Sequence, residues 1–289
     1  MTYSTILYEV DDRVARITFN RPKRMNAISL EVAAEVEDAV SIADADPDVR
    51  VIVIAGAGGR AFSAGHDFDD EDNEKRSTLE GFKNRLNKDV AFDYSVFNCS
   101  KPVIAMIDGY CLGGALPFAL MCDLRYCSEG SRFGVSETRF GLAPPTLALP
   151  WVIGQRCREL IYTGDMFDAQ EALRLGMVNR VFPKDQLEDE VMRIAKRMSR
   201  VALPTLVWNK RALNNTLLAS GFESAMRYGT EACLLMKFSD SEFKRFGEIV
   251  QSEGVTAAIK WRDAIFAPFE SEKSWASSRT LPNQPVKAK

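Results

Sequence analysis

The sequence predicts an α/β fold, and three observations carry that expectation. Two short, β-branched apolar runs, VRVIVIAG (49–56) and PVIAMID (102–108), read as strands buried on both faces. Glycine-rich turns follow both runs and helical patterns come after them, so strand, turn and helix alternate along the first half. Beyond Pro150 the strand signals fade and helical patterns follow one another, so the C-terminal third is expected to be all-helical.

Taken in order, ILYEV (6–10) and RVARITF (13–19) flank Asp11-Asp12, a hairpin signal that opens the chain with a β-ribbon. Ser29 suits the N-cap of SLEVAAEVEDAVSIADA, which sets Leu30, Val32, Ala33, Val36, Val40 and Ile42 mainly on one helical face. A polar, acidic stretch from Asp67 to about Arg76 has few apolar anchors and is expected to be poorly ordered without ligand. A helical pattern then runs to about Asn98. GYCLGGA (109–115) reads as a turn opening a short helix through Met121, and DLRYCS (123–128) as the next strand. Helical patterns cover about 147–163, 168–175, 185–201, 204–219, 221–237 and 253–266, and the polar residues 271–289 should form a loose tail. The sequence carries no internal repeat.

Composition narrows the function classes. The 289 residues are nearly charge-balanced, at net -3, so no long basic field exists to condense on nucleic acid or an anionic membrane, and a small-molecule substrate is expected. No apolar run approaches the roughly 20 residues that span a bilayer and no secretory leader is recognisable, so a cytoplasmic location is expected. Cys99, Cys111, Cys122, Cys127, Cys157 and Cys233 include no CxxC pair and mostly sit in apolar context, which predicts buried thiols without disulfide or zinc. The single histidine, His66, excludes metal sites needing several imidazoles, and a Ser-His-Asp triad is possible only if His66 is its base.

GAGGRA (56–61) satisfies the loose dinucleotide fingerprint, but FSAGHDFDDED follows it where an amphipathic helix is required, so an ordinary strand-to-loop turn explains the glycines better. AFSAGHDF (61–68) and GYCLGGA are more informative, because each puts small residues directly after a strand and lets a ligand approach the backbone. Gly113-Gly114 opens a helix whose first turn accepts Pro117, and the free amides of that turn, at the positive end of the helix dipole, suit a developing oxyanion.

The order RPKRMNAI (21–28), AFSAGHDF, KPVIAMIDGYCLGGA (101–115), MCDLRYCSEGSRFGVSE (121–137), GLAPP (141–145) and TGDMFDAQEALRLGMVNRV (163–181) resembles the crotonase superfamily, the enoyl-CoA hydratase/isomerase family, over roughly residues 5–266. The resemblance implies a spiral core of ββα turns at 1–200, a C-terminal helical trimerisation region at 201–270 before the 271–289 tail, and a homotrimer or dimer of trimers. It implies an acyl-CoA substrate, with coenzyme A entering as part of the substrate and no metal or redox cofactor. It makes the amides of His66 and Gly114 the oxyanion donors, each worth about 3–4 kcal/mol when aimed at the thioester oxygen. It sets Lys23, Arg24, Asn26, Ala27 and Ala64 along the CoA adenine and pantetheine, with Asp67, Phe68, Gly113 and Pro117 also at the substrate and Lys260 near a CoA phosphate.

Glu137 in FGVSE matches the family's second catalytic glutamate, and a pKa raised by burial beside Phe140 and Leu142 would suit acid/base work. The first glutamate is replaced by Pro117, expected one turn beyond Gly114 in the same pocket and facing Glu137. One half of the hydratase pair is missing, which favours double-bond isomerisation or hydration and cleavage of an unusual, for example aromatic, enoyl-CoA over plain straight-chain hydration. Pro145 stands where dienoyl-CoA isomerases carry aspartate, so that chemistry is disfavoured. His66, Tyr94 or another group on the helix before Cys99, and the Asp69–Asp72 cluster remain as substitutes for the missing acid, and a non-catalytic acyl-CoA binder is the rival from another class.

Overall fold

The structure is a computed structural model that describes residues 2–68, 78–143, 146–239 and 242–270; the acidic stretch at 69–77, Pro145 and the 271–289 tail lie outside the described residues. The chain opens with the expected hairpin, β1 (Ile6–Asp11) and β2 (Val14–Phe19), and α1 (Leu30–Ala45) begins at Ser29, whose hydroxyl accepts the Val32 amide at 3.3 Å. Next come β3 (Val51–Gly56), β4 (Ala61–Ser63) and α2 (Leu79–Asn98), then β5 (Val103–Ile107), β6 (Tyr110–Leu112) and α3 (Ala115–Met121), then β7 (Leu124–Ser128) and β8 (Arg132–Gly134). The remainder comprises α4 (Leu149–Ile153), α5 (Cys157–Thr163), β9 (Phe167–Asp168), α6 (Ala169–Arg174), β10 (Arg180–Phe182), α7 (Leu187–Met198), α8 (Leu203–Ala219), α9 (Phe222–Phe238), α10 (Glu242–Glu253) and α11 (Val255–Phe266).

Two sheets result, a six-stranded one in the order β1-β2-β3-β5-β7-β10 and a four-stranded one in the order β4-β6-β8-β9. Successive strands alternate between them: β3, β5 and β7 lie in the large sheet, and β4, β6 and β8 follow in the small one. Each pair is one turn of a spiral, and the corner needs close backbone approach. At Gly109, φ is 77° and a Cβ would stand 2.1 Å from the Arg60 carbonyl oxygen, so a side chain is excluded there. The repeat is three-dimensional and invisible as sequence similarity, because glycine corners and burial recur while residue identities do not.

The large sheet is covered on both faces, which is why its strands read as continuous apolar runs. Ile52 and Ile54 face the core shared with α1, α2 and α3, whereas Val51, Val53, Ile104 and Met106 pack under Leu187, Val191 and Ile194 of α7. Burying each such side chain contributes about 2 kcal/mol. Where α2 meets α3, Phe92 stacks on Phe118 with centroids 4.2 Å apart.

Four expectations need correction. Tyr110–Leu112 is a strand, not part of a turn, because it pairs with both β4 and β8. The region 147–163 is two helices separated by a 3-10 turn at Gly154–Arg156, where Gly154 has φ 62°. The described C-terminal third is helical as expected, but the stretch between Pro150 and it is not purely so: β9 pairs with β8 and β10 with β7, each a strand of two or three residues too short to show a period. Finally, α10 was not anticipated; its Gly247 and polar face hide a stripe of Phe243, Phe246 and Val250.

Among the described residues no helix is long and apolar enough to cross a membrane, and all six cysteines are buried free thiols. The helical region is tied to the core by a buried cation. Lys210 of α8, 5% exposed, donates to the carbonyls of Val96 (2.8 Å) and Lys101 (3.1 Å) and pairs with Asp123 (2.8 Å). Lys210→Ala leaves these acceptors without their cation, and we expect it to lower the unfolding free energy by about 3 kcal/mol, read as a lower urea midpoint at unchanged m.

Candidate active site

The site is built where two adjacent parallel strands end. β4 and β6 run side by side in the same direction, so their C-terminal ends deliver Ala64-Gly65-His66 and Gly113-Gly114 to one edge of the small sheet. Contact is close enough that a Cβ on Gly65 would meet the Leu112 carbonyl oxygen at 2.8 Å and the Gly114 amide nitrogen at 3.1 Å. The His66 segment is held from its other side too: Ala64 donates to the Met25 carbonyl (3.0 Å), Ile28 to Gly65 (2.9 Å) and Asp67 to Ile28 (2.9 Å).

This explains RPKRMNAI. Asn26, 1% exposed, donates its amide to the carbonyls of Ala57 (3.0 Å) and Ala61 (2.8 Å) and accepts the Arg21 amide (3.0 Å). Asp67, also buried, pairs with Arg21 (2.9 Å) and Arg24 (3.0 Å). Both side chains brace the loop that carries His66, and neither lines the cavity beside it.

That cavity has a volume of about 240 Å³ and is mainly apolar. It brings together Ala64, His66, Phe68, Gly113, Gly114 and Glu137 of the residues singled out from sequence. Lys23 and Lys260 are exposed outside it, and Arg24 and Ala27 flank the braced loop. Pro117 is a correction: it lines not the cavity itself but an adjoining hollow of about 10 Å³ that shares Gly113 with it, among Leu116, Leu120, Val135 and Leu149, because α3 turns its first-turn side chains into the core.

Glu137 sits in a 3-10 turn, Ser136–Phe140, that Gly141 closes with φ 81°. Two residues on, Arg139 fixes that turn, binding the Thr163 carbonyl (3.2 Å), Glu270 (2.5 Å) and Asp165, with its guanidinium 4.6 Å from the Phe266 ring centre. The turn presses Glu137 against the glycine pair: a Cβ on Gly113, where φ is 54°, would stand 3.2 Å from Glu137 Oε1. Burial between Gly113, Phe140 and Leu142 raises the Glu137 pKa to about 7, against smaller lowering by its own backbone amide and the Arg262 charge. Its Oε2 is buried without a hydrogen-bond partner among the described residues. A carboxyl so placed can both take and return a proton near neutral pH.

Sequence reasoning missed the polar stripe on α2. Arg85, Asp89 and Asp93 recur every fourth residue, a spacing that in isolation reads as a solvated face. Here the stripe is buried, and Arg85 and Asp89 line the cavity with Arg85 Nε 2.7 Å from Asp89 Oδ1. Deeper along the same face, burial pushes the Asp93 carboxyl well above its usual range, with Asp89 and Glu137 adding to the effect. The opposite wall is aromatic: Phe68, Phe140 and Phe246 have centroids 4.8–5.8 Å apart. Among the described residues no cluster of three metal-ligating side chains occurs.

Comparison with known proteins gives one consistent result. The sequence profile of the family described as enoyl-CoA hydratase/isomerase matches residues 9–257. A crotonyl-CoA hydratase of Syntrophomonas wolfei is 32% identical over 274 residues, covering 92% of this chain and 99% of the relative. A probable enoyl-CoA hydratase of Rhizobium meliloti is 35% identical over 271 residues, again 92% and 99%. The crystal structure of an enoyl-CoA hydratase/isomerase from Xanthobacter autotrophicus superposes with a TM-score of 0.88 at 37% identity, covering 92% of this chain and 99% of that one.

A carboxyl with a raised folded pKa contributes stability that is present below its unfolded pKa, about 4.5, and lost as pH rises through about 7. The full loss is about 3 kcal/mol. Glu137→Gln removes the ionisation, so we expect it to stabilise the fold, by little at pH 4.5 and by up to about 3 kcal/mol above pH 7, measured as urea unfolding across that range.

Proposed function

This chain belongs to the enoyl-CoA hydratase/isomerase family, and on that premise we propose that it acts on an enoyl-CoA thioester through an enolate, with Glu137 as acid/base and the amides of His66 and Gly114 as oxyanion donors. The observation that carries the reading is the seat of the Glu137 carboxyl: buried, with a pKa of about 7, and pressed against Gly113 next to the Gly114 amide. Adding or removing a proton beside a thioester carbonyl moves negative charge onto its oxygen. Two amides fixed by strand pairing meet that charge without reorganising, and each such donor is worth about 3–4 kcal/mol.

The acyl chain would enter the apolar cavity, with its reactive carbons between Glu137 and the two amides. Coenzyme A enters as part of the substrate, and the chemistry requires neither metal nor redox cofactor. Lys23 and Arg24 are exposed on the segment bonded to Ala64 and Asp67, a position from which cations can follow the CoA nucleotide past Ala27 and Ala64, and exposed Lys260 on α11 is the candidate phosphate contact. Trp208, Leu213, Tyr228 and Leu235 on α8 and α9 are between 62% and 74% exposed, which supports assembly of this region into a homotrimer or dimer of trimers. Balanced charge and buried thiols fit a cytoplasmic enzyme.

The test is a panel of short, branched and aromatic enoyl-CoAs followed by loss of enoyl absorbance and by product mass, which separates water addition from bond migration. We expect turnover by the parent, and at least about 100-fold slower turnover by Glu137→Gln at unchanged affinity for the CoA ester. Binding of CoA esters without turnover of any of them would identify an acyl-CoA binder instead.

A further inference from the structure

With Pro117 outside the cavity, the carboxylate that would share the work of Glu137 is missing from α3. The cavity nevertheless holds a second acid–base group opposite Glu137. The His66 imidazole packs against the bare Cα of Gly114, where a Cβ would be 2.3 Å from Nε2 and 2.4 Å from Cδ2. Glu137 Oε1 lies against the Cα of Gly113 in the same way, at 3.2 Å from a Cβ there. Successive Cα atoms are about 3.8 Å apart. The two titratable side chains therefore flank the one peptide that joins these glycines, and its N–H is the Gly114 oxyanion donor.

Behind the imidazole stands a buried carboxylate. Asp89 Oδ1 is 3.6 Å from His66 Nδ1, an ion-pair separation, and is fixed on its other side by Arg85 Nε at 2.7 Å. Arg85 is 3% and Asp89 8% exposed, and both line the cavity. A carboxylate near one ring nitrogen favours a proton on that nitrogen, leaving Nε2 to face the reaction. Among the described residues, the charged groups that line the cavity with the ring are Asp89 and Arg85 of α2, Glu137 of the 3-10 turn and Lys237 of α9.

We propose that the His66 imidazole, oriented by Asp89, is the second catalytic acid–base group of this site, facing Glu137 across the oxyanion donor, and that the reaction it serves is addition of water to the enoyl double bond. The inference rests on the enolate chemistry proposed above. In the forward direction the Glu137 carboxylate takes a proton from water as its oxygen bonds to Cβ. The double-bond electrons move to Cα and the thioester oxygen, giving the enolate. The imidazolium then gives its Nε2 proton to Cα as the carbonyl re-forms. One water is added in total. Glu137 ends protonated and His66 neutral, and passage of that proton from Glu137 to His66 resets the site.

The experiment uses the full chain with crotonyl-CoA as probe. His66→Ala keeps the backbone amide and removes only the ring. We expect hydration to fall at least about 100-fold in kcat with KM within about threefold, and added imidazole to restore at least tenfold of the loss. Asp89→Asn should lower kcat by about tenfold, because the ring loses its orientation. Undiminished hydration by His66→Ala, or a loss that imidazole does not recover, overturns the inference while leaving Glu137 and the enolate reading intact. Because His66 is the single histidine, its ring signals in nitrogen-15 NMR are unambiguous and give a readout independent of turnover. Crotonyl-CoA binding should shift Nε2, and Asp89→Asn should change the tautomer. Indifference of the ring to both overturns the inference even if the parent hydrates no enoyl-CoA, the result that would separately overturn the proposed function.

Discussion

The parallel pairing of β4 with β6 is the constraint on which the site depends. Neither strand exceeds three residues, and neither would persist alone. Their value is positional, because parallel neighbours end on the same edge and so bring two amides from segments about fifty residues apart into one small volume. Glycine at 65 lets the two chain ends approach to a distance that a Cβ would forbid, and glycine at 114 leaves room for the His66 ring. The large sheet, buried on both faces, anchors those ends, so in the proposed reaction the two amides would meet developing charge without rearrangement.

The same closeness sets the electrostatics. Glu137 is desolvated because a 3-10 turn, tied down by Arg139, drives its carboxyl onto Gly113 between apolar side chains. Burial is the largest cause of its raised pKa, and Arg262 only moderates it. The acidic stripe on α2 adds Asp93 to the same low-dielectric region, where burial, helped by the Asp89 and Glu137 charges, pushes its carboxyl well above the usual range. Arg85 offsets part of that charge through Asp89, which leaves a cavity polar along one wall and aromatic along the other.

That aromatic wall comes from far along the chain. Phe243, Phe246 and Val250 of α10 close over Phe68 and Phe140, so the cavity is completed by the helical region and not by the spiral core alone. Lys210 holds α8 to the end of α2 and to Asp123, so α8 is coupled to the core by a buried cation as well as by apolar contact.

The sequence by itself determined the alternation of buried strands with helices, the Ser29 cap, and the glycine-rich strand ends with Glu137 near them, because β-branched runs, cap residues and glycine corners are local signals. It also marked RPKRMNAI as important, although Asn26 and Asp67 turned out to brace a loop, with their hydrogen bonds spent on backbone carbonyls and arginines. Tertiary structure alone decided the rest. Strands as short as Tyr110–Leu112 and Arg180–Phe182 exist only through their partners, and one period of alternation cannot announce them. Arg85, Asp89 and Asp93 have the spacing of a solvated helix face, and only the packing of α2 over the sheet edge buries them. Likewise Pro117 stands one turn from Gly114 in sequence, yet the direction in which α3 leaves the sheet puts it in the core, while Glu137 and His66 both line the cavity.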